Sequence, residues 1–194
     1  IAAALLNALT VQEKSLSDIN IVIFGAGASA LASAHLLQAL GLRTEQLTLL
    51  DSQGVIHSDR ENLNEYKQKF ARSTTARDIV DACKDADVLI GNFSPVVQEK
   101  LNLRLDDLRR RYPALIIGWI STYPNDRNRP AYDAVLQAET GWMSINGEEG
   151  KPPLKIPVAI IDVFASHQLR AGILTALLHK QSNQKGSLVE VFLV

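Results

Sequence analysis

Short apolar runs alternate along the chain with longer stretches in which apolar residues recur at helical spacing. The short runs predict buried strands at residues 19–24, 47–51, 87–91, 115–120 and 187–194. The periodic stretches predict helices at residues 1–9, 25–40, 75–84, 96–111, 131–138 and 163–180. Strands that alternate with helices favour an α/β fold with a mostly parallel sheet and helices on both of its faces.

A glycine-containing turn follows the first of these strands, in the sequence Ile23-Phe-Gly-Ala-Gly-Ala-Ser-Ala30. Gly25 permits a tight turn, Gly27 lets the backbone approach a diphosphate, and Ala30 keeps the next helix close to the sheet. The start of that helix offers N–H groups and a positive dipole end to phosphates. The sequence therefore predicts a Rossmann-like unit that binds NAD or NADP at four residues: Gly25, Gly27, Ala28 and Ala30.

Asp51 ends the second strand, near the roughly 20-residue spacing expected between the glycines and a ribose-binding carboxylate. The alternative interpretation is an acid that only caps the turn after the strand. A ribose-binding acid favours NAD over NADP, because it repels a 2′-phosphate. This preference is reversed if Arg43 or Arg60 reaches the same place, so the choice between NAD and NADP stays open.

Composition narrows the classes of function. Hydrophobic residues make up 46% of the 194 residues and the formal net charge is −1, so no overall field attracts nucleic acid or a membrane. No apolar run reaches the roughly 20 residues needed to span a bilayer. The single cysteine, Cys83, excludes an internal disulfide and a cysteine-based metal site, and we expect no metal. We expect a cytoplasmic protein that binds small molecules; a homodimer is compatible with the sequence.

The first part of the chain resembles the NAD(P)-binding domain of malic enzymes. The resemblance covers residues 1 to about 90 and is carried by the stretches at residues 3–9, 21–28, 51–56, 59–64 and 66–71. That family's catalytic lysine, tyrosine and metal-binding acids match nothing in this chain. The resemblance therefore implies dinucleotide binding, and we do not expect malic-enzyme activity from this chain alone.

From about residue 86 the chain resembles the family III CoA-transferases, also called the CaiB/BaiF group. The matching stretches are residues 86–95, 129–138, 141–147, 157–162, 167–169, 172–178 and 185–191. The resemblance implies that Asp162 is the nucleophile that attacks an acyl-CoA thioester. From the residues alone, an acid at that position is also a good helix N-cap. Two departures bear on the CoA site: the opening unit is malic-enzyme-like, and the usual glycine-rich loop before Arg129 reads Tyr123-Pro-Asn-Asp126.

Two functions follow from these resemblances. The first is a CoA-transferase that acts through Asp162, uses a coenzyme A thioester as substrate and carries an NAD(P)-binding unit. The second is an NAD(P)-binding fragment or artificial fusion, related to malic enzyme, without a complete active site. In both cases we expect a dinucleotide-binding unit at residues 1–85 and a CoA-transferase-like unit at residues 86–194, sharing one sheet.

Overall fold

The computed structural model describes residues 6, 9, 10, 13–101 and 103–194, without the side chains of residues 29 and 85. The described part has six strands: β1 (Ile21–Phe24), β2 (Leu47–Asp51), β3 (Gly54–Val55), β4 (Val88–Gly91), β5 (Ile116–Ser121) and β6 (Leu188–Phe192). Five of them coincide with the predicted strands. The two-residue strand β3 is not predicted, because so short a run shows no alternation.

Helices connect these strands. They are α1 (Ala28–Ala39), α2 (Glu65–Gln68), α3 (Ile79–Ala82), α4 (Pro95–Lys100), α5 (Leu105–Arg111), α6 (Asp133–Glu139) and α7 (Ile160–Asn183). Short 3-10 helices lie at Leu16–Asp18, Thr44–Gln46, Cys83–Asp85 and Trp142–Ile145. In the part of the chain described here, no helix is both long and apolar enough to cross a membrane.

The strands form two hydrogen-bonded ladders that lie side by side. In the first, β2 pairs in parallel with β1 and antiparallel with β3; in the second, β5 pairs in parallel with β4 and β6. Strands β1 and β4 are neighbours without ladder pairing between them. The strand order across the two ladders is therefore β3-β2-β1-β4-β5-β6, the order of a Rossmann-like sheet. The fold is α/β, with a mostly parallel arrangement of strands, as predicted.

One apolar cluster spans both ladders. It joins Val22 and Leu50 of the first ladder to Leu89, Ile117 and Trp119 of the second, with Cys83 and Leu108 packed against them. The residues immediately before Leu50 in β2 and before Ile117 in β5 point to the opposite face of the sheet. Leu49 packs with α1 and Ile116 packs with α7. Helices α1 and α7 thus cover one face, whereas α3 and α5 cover the other.

Several helix boundaries differ from the prediction. The helix predicted at 96–111 is two helices, α4 and α5, and that predicted at 75–84 is only α3 followed by a 3-10 turn. Leu103 lies between α4 and α5, is fully buried, and donates its N–H to the Gln98 carbonyl at 2.8 Å. Burial of Leu103 in the core interrupts the helix. The helix predicted at 1–9 lies mostly outside the described residues.

Candidate functional site

The glycine turn leads directly from β1 into α1. Gly25 has a φ of 107°, in the left-handed region that favours glycine, and its N–H donates to the Leu50 carbonyl at 2.8 Å. Gly27 is the N-cap of α1, and no side chain caps this end of the helix. A Cβ at either glycine would meet nothing within 4 Å. The start of α1 therefore has no side-chain cap and the space at both glycines is open, as a diphosphate site requires.

The turn lies where the strand order reverses, between β1 and β4. In open α/β sheets, ligands bind in the crevice outside the carboxyl ends of the strands at this point. Aromatic side chains pack together next to this point. Phe93, just after β4, packs edge to face on Phe24 of β1 with ring centres 4.5 Å apart, and its carbonyl accepts a hydrogen bond from Trp119 Nε1.

Asp51, at the carboxyl end of β2, is held by two cations. Its Oδ2 accepts from Arg60 Nη2 at 2.9 Å and from Lys67 Nζ at 2.7 Å, and its Oδ1 accepts from the Gln53 N–H at 2.9 Å. Arg60 also donates to the Gly54 and Val55 carbonyls. Asp51 therefore does cap the turn after the strand. A ribose hydroxyl would find one unused lone pair, on Oδ1.

These contacts set the charge at the end of β2. The Asp51 side chain is only 11% exposed, and this burial by itself raises its pKa. The hydrogen bonds from Arg60, Lys67 and Gln53 outweigh the burial and lower the pKa of Asp51 to about 2. Asp51 is therefore ionised at neutral pH, and the three charged side chains together carry one net positive charge.

We expect Asp51→Asn to destabilise the fold at neutral pH. A pKa lowered from 3.8 in the unfolded chain to about 2 in the folded chain stabilises the fold by about 2 kcal/mol above pH 4. This contribution is lost as the pH falls through the folded pKa, so wild type and variant should converge near pH 2. Urea unfolding between pH 2 and 7 measures the difference. Asp59→Asn, at a side chain that is 72% exposed, is the matched control, and a difference independent of pH would contradict the prediction.

Asp162 lies in the first turn of α7. The N-cap of α7 is Ala159, and the helix begins at Ile160, so the interpretation of Asp162 as the N-cap is wrong. The capping carboxylate belongs instead to Asp133 in α6. Asp133 Oδ1 accepts the N–H of Ile161 at 2.8 Å and that of Asp162 at 3.3 Å. The start of α7 is thus capped from another helix.

Asp133 is itself buried, with 9% of the residue exposed. Its Oδ2 accepts a hydrogen bond from the Gln137 side chain, and Gln137 also holds the segment before α7. It donates to the Val158 carbonyl at 3.0 Å and accepts from the Ile156 N–H at 2.9 Å. This network fixes the backbone that carries Asp162, a role for Asp133 that no sequence motif indicates.

The surroundings of Asp162 favour its neutral form. Loss of water around the carboxylate raises its pKa, and the negative charge of Asp133 raises it further. Among the described residues, no lysine, arginine or histidine forms an ion pair with Asp162 to offset these effects. The residue remains exposed. Asp162 is therefore an exposed carboxylate whose pKa lies above its ordinary value.

The structure separates the predicted residues into two groups at one edge of the sheet. Gly25, Gly27, Ala28 and Ala30 form the turn after β1, with Asp51 at the end of β2. Asp162 begins the helix that leads into β6, so it lies at the same carboxyl edge but beyond β5. No three His, Cys, Asp or Glu side chains are grouped to hold a metal within the described ranges.

The fold and the turn define the chain as an α/β protein with a Rossmann-like arrangement of strands, and sequence comparison gives the families. The chain belongs to CoA-transferase family III, whose profile matches residues 71–194. Residues 1–97 match the profile of the malic enzyme NAD-binding domain. The two matches overlap between residues 71 and 97, the stretch that contains α3 and β4.

Relatives of both kinds are found. The NADP-dependent malic enzyme of Halomonas elongata is 48% identical over 103 residues, which are 53% of this chain and 24% of that enzyme. An acyl-CoA transferase of Fusarium pseudograminearum is 32% identical over 127 residues, 64% of this chain and 28% of the relative. The chain therefore spans about a quarter of the length of these relatives.

A solved structure shows the same fold. The CaiB/BaiF family protein of Brucella suis superposes with a TM-score of 0.62 at 20% identity, over 90% of this chain and 52% of that one. Because the likeness covers nine-tenths of this chain, it extends over both ladders. The part that matches malic enzyme in sequence thus occupies a place within a CoA-transferase-like fold.

Proposed function

We propose that the chain transfers coenzyme A from an acyl-CoA thioester to a carboxylate through an aspartyl intermediate on Asp162, and that it carries an NAD(P)-binding unit. The observation that carries the transferase proposal is the buried Asp133, which holds the N–H groups of Ile161 and Asp162. A buried carboxylate aimed at the backbone of a neighbouring accessible carboxylate is typical of a site built to position a reactive group.

The reaction balances with Asp162 alone as the covalent group. Its carboxylate attacks the thioester carbonyl, the C–S bond breaks, and the thiolate of CoA leaves a mixed anhydride on Asp162. The thiolate then attacks the aspartyl carbonyl and releases the donor acid. An acceptor carboxylate attacks the resulting aspartyl-CoA thioester, and the returning thiolate takes the acceptor acyl group from the new anhydride. Covalent steps of this kind replace one slow transfer with several easier ones.

The electrostatics support the first step. A carboxylate in water is a weak nucleophile, and the partial desolvation that raises the pKa of Asp162 destabilises the attacking anion. Asp162 also lies in the first turn of α7, where the positive end of the helix dipole favours the anion. The acyl donor is the coenzyme A thioester of a small-molecule acid, and the acceptor is a second small-molecule acid in its carboxylate form.

The NAD(P)-binding unit is proposed at Gly25, Gly27, Ala28 and Ala30. The uncapped start of α1 supports a diphosphate there. The net positive charge of the Asp51–Arg60–Lys67 group favours a ribose that carries a 2′-phosphate, and thus NADP over NAD. A ribose hydroxyl could donate a hydrogen bond to Asp51 only at the free lone pair on Oδ1.

A second function is supported by a specific observation. The N–H groups of the first turn of α7 are all used: Ile160 donates to the Val158 carbonyl, and the next two donate to Asp133. None of these N–H groups is left to stabilise an oxyanion on a thioester. This favours an NAD(P)-binding module without a complete transferase site. The unit boundaries at 1–85 and 86–194 and a homodimer remain proposals under both functions.

Mass spectrometry distinguishes the two functions. The chain is incubated with a mixture of acyl-CoA thioesters, and the intermediate is trapped with hydroxylamine, which converts an aspartyl anhydride or thioester to a hydroxamate. We expect the hydroxamate in the peptide that contains Asp162. A modification confined to other residues, or no modification with any thioester, would exclude the transferase and leave the binding module.

A further inference from the structure

An apolar groove lies beside the residue that the proposed reaction acylates. It runs between the first turns of α7 and the end of β6 and has a volume of about 140 Å³. Its apolar lining residues are Ile161, Phe164, Ala165, Val191, Phe192 and Leu193. We propose that this α7–β6 groove binds the tail of the acyl group that Asp162 attacks, and that the donors are thioesters of apolar monocarboxylic acids with about six carbons. This inference rests on the proposed function and names its substrate class.

Helical geometry places Asp162 at one end of the groove. Ile161 precedes it, and Ala165 lies three positions further on, where side chains of a helix are neighbours with about 5–6 Å between their Cβ atoms. Gln168, a polar residue of the lining, lies six positions beyond Asp162, or about 9 Å along the helix axis. A thioester whose carbonyl meets Asp162 can therefore extend its tail along α7, past Ala165 and towards Gln168.

The volume of the groove matches a group of about six carbons. An engineered protein cavity of about 150 Å³, lined by leucine, isoleucine and phenylalanine, stays dry and binds benzene. The α7–β6 groove has nearly the same volume and a similar lining. A hexanoyl tail therefore fills it, whereas an acetyl group leaves most of the lining without contacts.

The surface around Asp162 is also apolar. Phe164 is 49% exposed, and its ring centre lies 5.8 Å from that of Trp142. Val158 and Val163, which flank Asp162 in the sequence, are exposed as well. Contiguous exposed apolar side chains of this kind mark ligand-binding grooves, because a bound apolar group removes their surface from water.

The charges near the groove disfavour a second carboxylate on the acyl group. Within the described residues, no lysine, arginine or histidine lines the groove. Arg127 stacks on Phe192, with its guanidinium carbon 5.5 Å from the ring centre, but it also donates to Glu190 at 2.8 Å, which neutralises its charge. A carboxylate at the far end of the tail would lose water without gaining an ion pair. The groove therefore favours monocarboxylic over dicarboxylic acyl groups.

Adduct formation on the full chain with a panel of thioesters tests the proposal. The rate of hydroxamate formation at Asp162 is measured with acetyl-, butyryl-, hexanoyl-, decanoyl- and adipoyl-CoA at one low concentration. Full burial of a methylene is worth about fourfold, so partial burial of the additional methylenes should make hexanoyl-CoA at least about tenfold faster than acetyl-CoA. Decanoyl-CoA should gain less than about twofold over hexanoyl-CoA, because the rest of its tail lies outside the groove.

Adipoyl-CoA is the matched probe for charge. It has the same number of acyl carbons as hexanoyl-CoA but ends in a carboxylate. We expect it to react at least about tenfold more slowly than hexanoyl-CoA, since its carboxylate meets an apolar lining.

Two substitutions change the groove in different ways. Phe164→Ala removes part of the wall and should lower the ratio of the hexanoyl rate to the acetyl rate at least about threefold. Gln168→Trp fills the far end and should make butyryl-CoA the fastest donor in place of hexanoyl-CoA. Both side chains are exposed, so both variants should fold. Leu178→Ala, on the same helix at a residue that is 50% exposed, is the matched control and should keep the wild-type ratio.

The results separate the groove from the transferase. Equal rates of adduct formation with every thioester, or an adipoyl rate above the hexanoyl rate, would overturn the groove and leave the reaction at Asp162 intact. A chain-length preference that Phe164→Ala and Gln168→Trp leave unchanged would place the tail elsewhere, with the same consequence. If no thioester of the panel gives an adduct, the transferase and the role of the groove fail together.

Discussion

Asp162→Asn is expected to abolish the hydroxylamine-sensitive adduct completely. An amide does not attack a thioester to give an anhydride, and no step of the proposed reaction uses another covalent group. The measurement compares hydroxamate yield in wild type and variant after the same exposure to acyl-CoA. Asp106→Asn, on an exposed aspartate whose side chain is 86% accessible, is the control and should keep the full yield. Any adduct that persists in Asp162→Asn would show that the acylated residue lies elsewhere.

Asp162→Asn should also change the stability of the fold. The pKa of Asp162 is raised in the folded chain, so its ionisation at neutral pH opposes folding. This penalty is present above the folded pKa and disappears as the pH falls below the unfolded value. Asp162→Asn should therefore be more stable than wild type at pH 7, with the gain lost at low pH. A reactive residue that costs stability is the pattern expected of an active site.

Asp133→Ala is expected to affect both stability and chemistry. It removes the acceptor for the N–H groups of Ile161 and Asp162 and leaves the Gln137 amide without its carboxylate partner. Loss of a buried cap of this kind costs about 2 to 3 kcal/mol of unfolding free energy. The rate of adduct formation should fall at least about tenfold, because the first turn that carries Asp162 loosens.

Asp133→Asn separates positioning from charge. The asparagine oxygen can still accept the two N–H groups, but its NH2 group faces the Gln137 donor, so it should restore part of the stability that alanine loses. Both variants remove the negative charge that raises the pKa of Asp162, so both should shift the pH profile of adduct formation to lower pH. An unchanged profile in both variants would show that Asp133 has a structural role only.

The glycine turn between β1 and α1 could be predicted from the sequence because its signals are local. The strand that ends at Phe24 and the glycines that follow are adjacent in the chain, and the left-handed conformation of Gly25 is the reason for that residue type. The partners of Asp51 and Asp162 are not local. Arg60 and Lys67 lie in or beside short elements, and Asp133 caps a helix that begins 27 residues later. No periodicity in the sequence marks such pairs, because they form only when the chain folds.

The break between α4 and α5 illustrates a second limit. Apolar spacing predicts one helix across residues 96–111, because Leu101, Leu105 and Leu108 recur at helical intervals. Full burial of the Leu103 side chain stabilises the fold by more free energy than one further turn of helix would. The helix therefore ends before this residue. Tertiary packing of this kind overrides a weak local preference.

The seam between β1 and β4 joins the two ladders without directional bonds. Within the described residues, no ladder bonds cross it. It is joined by apolar packing of Val22 and Phe24 against Leu89 and Phe93, and by Asp87, which binds Lys14 from one side and Lys180 from the other. Apolar contacts are non-directional and tolerate substitution when volume is kept. Substitutions on either side of this seam should therefore be tolerated when they keep the volume of the apolar strand faces and the lysine contacts to Asp87.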